Sequence, residues 1–282
     1  MKRTGFALMA IPGALFLFIF HTIPALMGAF YSFTDYRGYG KWNFIGFDNY
    51  AKLFQDPMIR HSYVFTIGFA LLAAILTNVI SVLLAVMMTQ NIKFRSFIRG
   101  VFFLPAVLAT VVIGYVFDFI FSQVVTSVGK GIGNDFLSRS LLGTKYAWVG
   151  IVIVAVWQAC AVTTVIYMTG IQSISTDIYE AAKVDGASTV QTFFKITLPL
   201  IVPFIAVNMI LQLKNQLQVF DLIVALTNGG PGTSTQSISY LIYRNGFQGG
   251  QFAYQSANAV VYFLLITAIS LFQLKVFSSK EK

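Results

Sequence analysis

Charged residues are scarce in this chain. They make up 10% of its 282 residues, whereas hydrophobic residues make up 57%, and the mean hydropathy is +0.75. A soluble domain of this size usually carries about 25% charged residues. The shortage excludes an ordinary soluble protein and indicates an integral membrane protein made mostly of membrane helices.

Residues that carry common enzyme chemistry are also few. The one cysteine, Cys160, lies in an apolar run and cannot form an intrachain disulfide. The sequence has no phosphate-binding motif of the form G-x-x-x-x-G-K-[ST] and no cysteine and histidine cluster with metal-site spacing. The two histidines, His21 and His61, fit packing or interfacial positions better than catalytic ones. We therefore expect this chain to have no catalytic site and no metal site.

Six hydrophobic segments are each about 20 residues or longer, which is enough to cross a hydrocarbon core about 30 Å thick. The first is too long for the apolar region of a signal peptide, so we interpret it as a retained helix that bends near Pro12 or Pro24. No large loop separates the segments, which predicts a single transmembrane domain over residues 1–282. The predicted spans are residues 6–33, 62–88, 100–122, 148–170, 198–226 and 258–277.

The net charge of +9 does not require nucleic acid as a partner. In membrane proteins the excess lysine and arginine usually lies in cytoplasmic segments, close to the helix ends. With an even number of spans and the N-terminus inside, the basic residues are densest in the segments that face the cytoplasm, notably residues 93–99 and the two termini. This pattern predicts that both termini are cytoplasmic.

A polar stretch between the fourth and fifth predicted spans is punctuated as two short helices. Asp177, with Glu180 three residues later, fits a capping box with Asp as the N-cap. Gly186 suits a left-handed C-terminal cap. Ser188, with Gln191 three residues later, gives a second capping box. The sequence therefore predicts a helix-turn-helix elbow outside the membrane.

Two interpretations of this elbow, which covers about residues 171–197, are open from the residues alone. The elbow is either a docking surface for another protein or a plain linker between two spans. A plain linker does not require two capped helices, and long structured loops are usually functional. The caps therefore favour the docking surface.

Polar side chains within the fifth predicted span mark a candidate ligand site. At 100° per residue, four amides share one stripe of the helix: Asn208, Gln212, Asn215 and Gln216. Amides offer donors and acceptors together, which suits hydroxyl-rich neutral ligands such as sugars. Hydrogen bonding between helices is the alternative role for each of them. A second polar stripe on the same predicted helix contains Lys214, Gln218 and Asp221.

At the elbow the sequence resembles a known family, the membrane subunits of binding-protein-dependent ABC importers. Two further stretches, LTNGGPGTST at 226–235 and FLPAVLATVV at 103–112, are similar to the MalF/UgpA-like sugar permease branch of that family. The resemblance is clearest over residues 101–231 and is compatible with six spans. The residues whose spacing matches the EAA motif of the family are Glu180, Ala181, Ala182, Gly186, Ile196, Leu198 and Pro199.

The resemblance implies a type I ABC importer permease fold, all-α and integral to the bacterial cell membrane, with a cytoplasmic coupling elbow. It implies that the chain forms half of a translocation pathway for a sugar or oligosaccharide. The implied partners are a second permease subunit in a heterodimer, two ATP-binding subunits, an extracytoplasmic solute-binding protein and membrane lipid, with no nucleic acid. The chain itself would hold no cofactor, because ATP and Mg²⁺ would bind to the partner ATPase.

The resemblance also assigns roles to individual residues. Contacts of the elbow with the ATPase are implied for Glu180, Ala181, Ala182 and Gly186. Contacts with the cargo are implied for Thr110, Gln158, Ala159, Gln212, Asn215, Gln216 and Val219.

Departures from the family pattern leave the cargo open. Three positions where aromatic side chains are expected hold Ala106, Val162 and Asn215. Lys214 either pairs with Asp118 of the third span or faces an acidic cargo, and we expect the pairing because an unpaired charge at that depth is unfavourable. Glycerol phosphate and an acidic uronate oligosaccharide therefore remain alternative cargoes. An ion-coupled secondary transporter is a further alternative, but it leaves the elbow unexplained.

Overall fold

A computed structural model describes residues 11–90 and 94–278 of the chain. Within these ranges the regular structure is helical, apart from an isolated antiparallel bridge between Thr34 and Phe44. The helices, numbered in chain order, are α1 Ile11–Tyr31, α2 Asp48–Gln55, α3 Pro57–Thr89, α4 Arg95–Val107, α5 Thr110–Gly131, α6 Ala147–Gln172, α7 Thr176–Val184, α8 Thr189–Leu200, α9 Val202–Leu217, α10 Asp221–Leu226, α11 Ile238–Tyr243 and α12 Phe252–Ser278.

In the described part of the chain, five helices are long and apolar enough to cross a membrane, namely α1, α3, α5, α6 and α12. The bent pair α8 and α9 passes the same test as one broken span, which gives up to six spans. The predicted all-α membrane fold is therefore confirmed. Four predicted spans match a single helix within the described residues: 6–33, 62–88, 148–170 and 258–277.

The third predicted span, residues 100–122, is wrong as a single helix. The backbone leaves helical geometry at Leu108 and Ala109, whose ψ angles are 141° and 133°. Pro105 lies just before this break, and its ring nitrogen has no hydrogen to donate to the preceding turn. The membrane-length helix here is α5, which begins after the break and extends past the predicted end.

The fifth predicted span is also wrong as a continuous helix. Helices α8 and α9 meet at Ile201 with a 68° bend. Pro199 and Pro203 flank this bend, and neither can donate a helical hydrogen bond. Helix α9 ends at Leu217, and α10 begins only at Asp221. The second polar stripe predicted for this span therefore does not lie on one helix.

The chain divides into two compact units, one of residues 1–62 and 238–265 and the other of residues 63–237 and 266–282. In the first unit, buried Asn49 fixes the loop that follows α1. Its Nδ2 donates to the carbonyl oxygens of Ser32, at 2.9 Å, and Thr34, at 2.8 Å. The single transmembrane domain stays a prediction.

The second unit packs its helices through small side chains. Ala70 and Ala74 of α3 are fully buried and pack with Leu213 and Leu217 of α9. Small residues let membrane helices approach closely, which raises the van der Waals contact between them. This packing holds the amide-bearing helix α9 against the core of the unit.

A buried hydrogen bond joins α3 to α6 in the same unit. The Tyr167 hydroxyl donates to Asn78 Oδ1 at 2.5 Å, and Asn78 Nδ2 donates to the carbonyl oxygen of Ala74 at 2.7 Å. Polar groups buried in a membrane protein need such partners because lipid offers none. The bond therefore fixes the mutual position of the two helices.

Candidate functional site

The first helix of the elbow, α7, has a different cap from the predicted one. Ser175 is the N-cap, with a ψ of 138°, and its side chain accepts a hydrogen bond from the Asp177 N–H at 3.3 Å. The prediction of Asp177 as N-cap, in a capping box with Glu180, is wrong. With Ser175 as the N-cap, the helix begins two residues earlier than predicted. Asp177 therefore lies in the first turn, where a negative charge interacts favourably with the helix dipole.

The turn between the two elbow helices has the predicted left-handed glycine. Gly186 has a φ of +75°. The Ala187 N–H donates to the Ala182 carbonyl at 2.9 Å, and the Gly186 N–H donates to the Lys183 carbonyl at 3.2 Å. These two bonds form a Schellman motif, which satisfies the last carbonyls of the helix.

The second elbow helix, α8, begins with the predicted capping box. The Gln191 N–H donates to Ser188 Oγ at 3.3 Å, and the Ser188 N–H donates to Gln191 Oε1 at 2.8 Å. The hydroxyls of Tyr179 and Thr197 lie 3.1 Å apart and link α7 to α8. The elbow is therefore capped at both helices and cross-linked by a side-chain hydrogen bond.

The elbow offers an open surface. Glu180, Ala181 and Gly186 are exposed, whereas Ala182 is only 6% exposed and packs within the chain. No atom lies within 4 Å of where a Cβ on Gly186 would stand. Large apolar side chains are also exposed on the elbow: Ile178, Val184, Val190 and Phe194.

A cavity with a volume of about 390 Å³ lies in the second unit, beside α6, α9 and α10. The structure brings to it every residue for which the sequence predicts a cargo contact. These are Thr110, Gln158, Ala159, Gln212, Asn215, Gln216 and Val219.

Two amides of the cavity are oriented by hydrogen bonds to neighbouring helices. Gln158 Nε2 donates to Thr110 Oγ1 at 3.1 Å, and Gln212 Nε2 donates to Thr163 Oγ1 at 2.7 Å. Gln212 Oε1 is buried and accepts no hydrogen bond from the described residues. The two bonds therefore fix the orientation of both amide groups in the cavity wall.

Other amides of the same wall differ in exposure. Asn215 is exposed, whereas Gln216 and Asn208 are 7% and 1% exposed. The Asn208 side chain lies near the Tyr167 hydroxyl, but neither of its polar atoms forms a hydrogen bond of good geometry within the described residues. Asn215 is therefore the most accessible of these three amides.

The break after α9 adds residues that the sequence pattern did not place at the cavity. Gln218, Phe220 and Asp221 all line it. Phe220 supplies an aromatic side chain, although the predicted aromatic positions hold other residue types. No glycine or proline marks the break, so the sequence carried no signal for this arrangement.

Lys214 does not behave as predicted. It is exposed on α9, does not line the cavity, and forms no ion pair with Asp118, although both residues are described. The predicted pairing is therefore wrong for this chain. The pairing was expected because an unpaired charge enclosed among membrane helices is unfavourable, but the Lys214 side chain is exposed and not enclosed.

A metal centre is not apparent in the described residues. Across residues 11–90 and 94–278, no group of three or more His, Cys, Asp or Glu side chains is placed to hold a metal ion. The polar chemistry of the cavity is instead that of amides, hydroxyls and the single carboxylate of Asp221.

Residues 77–280, which include both the elbow and the cavity, match the family described as the inner membrane component of binding-protein-dependent transport systems. The chain belongs to this family. It is thus an integral membrane permease subunit of an ABC importer, and the resemblance found at the EAA motif is confirmed.

A relative and a solved structure are each similar to nearly the whole chain. The probable starch degradation products transport system permease protein AmyD of Thermoanaerobacterium thermosulfurigenes is 36% identical, with 96% of this chain and 92% of that protein covered. A bacterial ABC transporter involved in the import of the acidic polysaccharide alginate has a chain with a TM-score of 0.85 and 27% identity, with 98% of this chain and 96% of that chain covered.

A second structure of a bacterial alginate ABC transporter was solved in complex with an alginate pentasaccharide-bound periplasmic protein. Its matching chain has a TM-score of 0.82 and 27% identity, with 95% of this chain and 92% of that chain covered. The importer permease fold of the present chain is therefore shown. The roles of its individual cavity and elbow residues stay predictions.

Proposed function

We propose that this chain forms half of the translocation pathway of an ATP-driven importer for a neutral sugar or oligosaccharide. The observation that carries the proposal is the amide-lined cavity. Its described walls combine the amides of Gln158, Asn215 and Gln216 with the ring of Phe220. Amides match sugar hydroxyls as donors and acceptors, and an aromatic ring matches the apolar face of a sugar.

The charges around the cavity favour a neutral cargo over an acidic one. The carboxylate of Asp221 lines the cavity, whereas Lys214 lies outside it. A uronate or phosphate group would meet a like charge from this wall, and like charges at close range are destabilising. The alginate importer, which is similar to this chain, supports an acidic cargo as the second candidate.

The elbow is proposed to dock on a separate ATPase, which would bind ATP and Mg²⁺. The support is its firm capping together with its exposed apolar and acidic surface at Val184, Val190 and Glu180. A capped element transmits a displacement without fraying, as required of a lever between two states. This chain would then supply the pathway and its partner the hydrolysis.

The remaining partners follow from the family and its relatives. A second permease subunit would complete the cavity, and an extracytoplasmic solute-binding protein would deliver the cargo. The structure of the similar alginate transporter in complex with an alginate pentasaccharide-bound periplasmic protein supports the second of these partners. The charge distribution supports cytoplasmic termini and a cytoplasmic elbow in a bacterial inner membrane.

The cargo is tested by competition in proteoliposomes that contain the assembled importer and its binding protein. Uptake of a labelled malto-oligosaccharide pool would be measured with an excess of either unlabelled malto-oligosaccharides or uronate oligosaccharides. The proposal expects uptake of the label and competition by the neutral oligomers. A parallel assay uses labelled uronate oligosaccharides. Uptake of that label, with no uptake of the neutral label, would show that the cargo is acidic.

A further inference from the structure

A groove distinct from the polar cavity lies between α4 and α6 in the second unit, with a volume of about 390 Å³. Its walls are largely apolar: Phe102 and Phe103 of α4 and Val165 of α6 are each 44–46% exposed along it. Arg99 lines one end of the groove. An arginine beside a half-exposed apolar wall combines the two chemistries of a phospholipid, a charged head and an acyl chain.

The guanidinium of Arg99 is poorly satisfied within the chain. Its Nε is buried and forms no hydrogen bond with the described residues, and its Nη2 reaches the Met88 carbonyl only at 3.5 Å. No acidic side chain lines the groove. A guanidinium binds phosphate through charge-assisted, often bidentate hydrogen bonds, so a phosphate group would supply the partner that is missing.

A second unsatisfied group points to a ligand in the same groove. Thr164 is 4% exposed, and its Oγ1 has no hydrogen-bond partner in the described ranges. Thr164 and Arg99 line the same groove. An ester carbonyl of a lipid in this groove can accept a hydrogen bond from the Thr164 hydroxyl.

The length of the groove matches one leaflet of a bilayer. The groove follows α6 from Gln172, at the end next to the elbow, to Ala161, near the middle of the helix. Eleven residues of helix rise about 16 Å, which is half of a hydrocarbon core about 30 Å thick. A groove for a peptide or a free phosphate has no need of this apolar depth.

We propose that the groove binds one anionic phospholipid of the leaflet on the elbow side, with its phosphate on Arg99 and an acyl chain along Phe102, Phe103 and Val165. Basic pockets between transmembrane helices on the cytoplasmic side are known to hold anionic headgroups. Because α6 ends at Gln172, shortly before α7 begins at Thr176, a lipid seated here contacts the helix that leads into the elbow.

The test uses the assembled importer in liposomes of phosphatidylcholine that contain a small fraction of phosphatidylglycerol with a photoactivatable acyl chain. After illumination, mass spectrometry maps the labelled peptides. Label is expected on the peptides that contain Phe103 and Val165, and unlabelled phosphatidylglycerol should compete with it. Equal labelling by a phosphatidylcholine probe with the same photoactivatable acyl chain would overturn the proposal, because the site would then not select a charged head.

Variants separate this site from general attraction to an anionic surface. Arg99→Gln should lower labelling about fivefold, the effect of one basic residue at a membrane surface. Lys195→Gln removes an exposed charge of the elbow outside the groove and should leave labelling unchanged. Val165→Trp keeps Arg99 but fills the groove, and should also reduce labelling. This variant tests the site even if Arg99→Gln does not assemble. Wild-type labelling in both groove variants, or a photocrosslink from position 103 to a partner subunit, would overturn the proposal.

Discussion

At the scale of single residues, two neighbours on α9 differ in whether they line the cavity. Asn215 is exposed and lines the cavity, whereas Lys214 is exposed and does not. Alanine substitutions at the two positions form a matched test, because each shortens an exposed side chain on the same helical turn. Only one of them removes a group that a cargo in the cavity can contact.

Asn215→Ala should lower uptake at limiting cargo about 2- to 12-fold, since one hydrogen bond contributes about 0.5–1.5 kcal/mol. Lys214→Ala should leave uptake of a neutral cargo unchanged. Initial rates in proteoliposomes over a range of cargo concentrations measure both. A loss with Lys214→Ala that equals the loss with Asn215→Ala would indicate an acidic cargo, and no loss with either would make the amide structural.

A glycine contact sets the position of the cavity wall. Gly114 of α5 approaches Ala225 of α10 so closely that an added Cβ would overlap the Ala225 Cβ. Helix α10 follows directly on Phe220 and begins with Asp221, both of which line the cavity. The side chain at position 114 therefore controls how closely this wall can pack.

Gly114→Ala should destabilise the protein by about 1–3 kcal/mol, the usual effect of overpacking a well-packed contact, and should also reduce uptake. Gly68→Ala is the control, because Gly68 lies in α3 with open space at its Cβ position. Thermal unfolding in detergent, followed by the loss of monodisperse protein, measures the difference. Equal midpoints for the two variants would contradict the close α5–α10 contact.

At the scale of elements, helix α7 of the elbow contains two acidic residues in different roles. Glu180 is exposed on α7 and carries the EAA motif, whereas Asp177 lies in the first turn behind the Ser175 cap. The predicted contact with the ATPase involves Glu180 and does not involve Asp177. The two carboxylates therefore form a control pair on one helix.

Glu180→Ala should weaken co-purification with the ATPase or uncouple hydrolysis from uptake, because it leaves a basic partner unpaired at a cost of about 1–3 kcal/mol. Asp177→Ala should retain docking. Gly186→Val should behave like Glu180→Ala, since a β-branched side chain is strained at a φ of +75° even with open space around it. Normal docking and coupling in Glu180→Ala and Gly186→Val would reduce the elbow to a linker.

The sequence predicted the elbow well wherever local chemistry decides the backbone. Gly186 and the Ser188–Gln191 box were predicted correctly, because a left-handed turn and a reciprocal cap depend on a few adjacent residues. The first cap was predicted wrongly because Ser175 and Asp177 are both good N-cap residues. The choice between them depends on where the chain leaves α6, which is a tertiary effect.

The cavity was predicted only in part for a similar reason. The amides on α9 up to Gln216 follow from helical periodicity. Phe220 and Asp221 reach the cavity because α9 stops at Leu217, and neither glycine nor proline marks that stop. The third span was misplaced because Pro105 lies inside α4 and the helix ends only at Val107, so the proline did not mark the position of the break.

At the scale of the whole molecule, the orientation in the membrane decides whether the elbow can meet a cytoplasmic ATPase. Val184 on the elbow is 88% exposed, and Thr233 in the loop after α10 is also exposed. Cys160 is the one cysteine of the sequence, so its replacement by alanine gives a cysteine-free background. Single cysteines at these two exposed positions then report which side of the membrane each one faces.

In intact cells, a membrane-impermeant maleimide should label Thr233→Cys, whereas Val184→Cys should be labelled only after the cells are opened. The expectation rests on the denser basic residues of the elbow side. The reverse labelling pattern would place the elbow outside the cell, and docking on a cytoplasmic ATPase would then be impossible.

The central claim is that this chain couples hydrolysis by a partner to movement of a sugar through its cavity. The most direct measurement reconstitutes the importer with ATP inside the liposomes, then records ATP hydrolysis and oligosaccharide uptake together. The wild type should show uptake that requires both ATP and the binding protein. Glu180→Ala should lose coupling, and Asn215→Ala should keep binding-protein-stimulated hydrolysis but take up less cargo. Uptake that continues without ATP, driven by an ion gradient, would contradict the account.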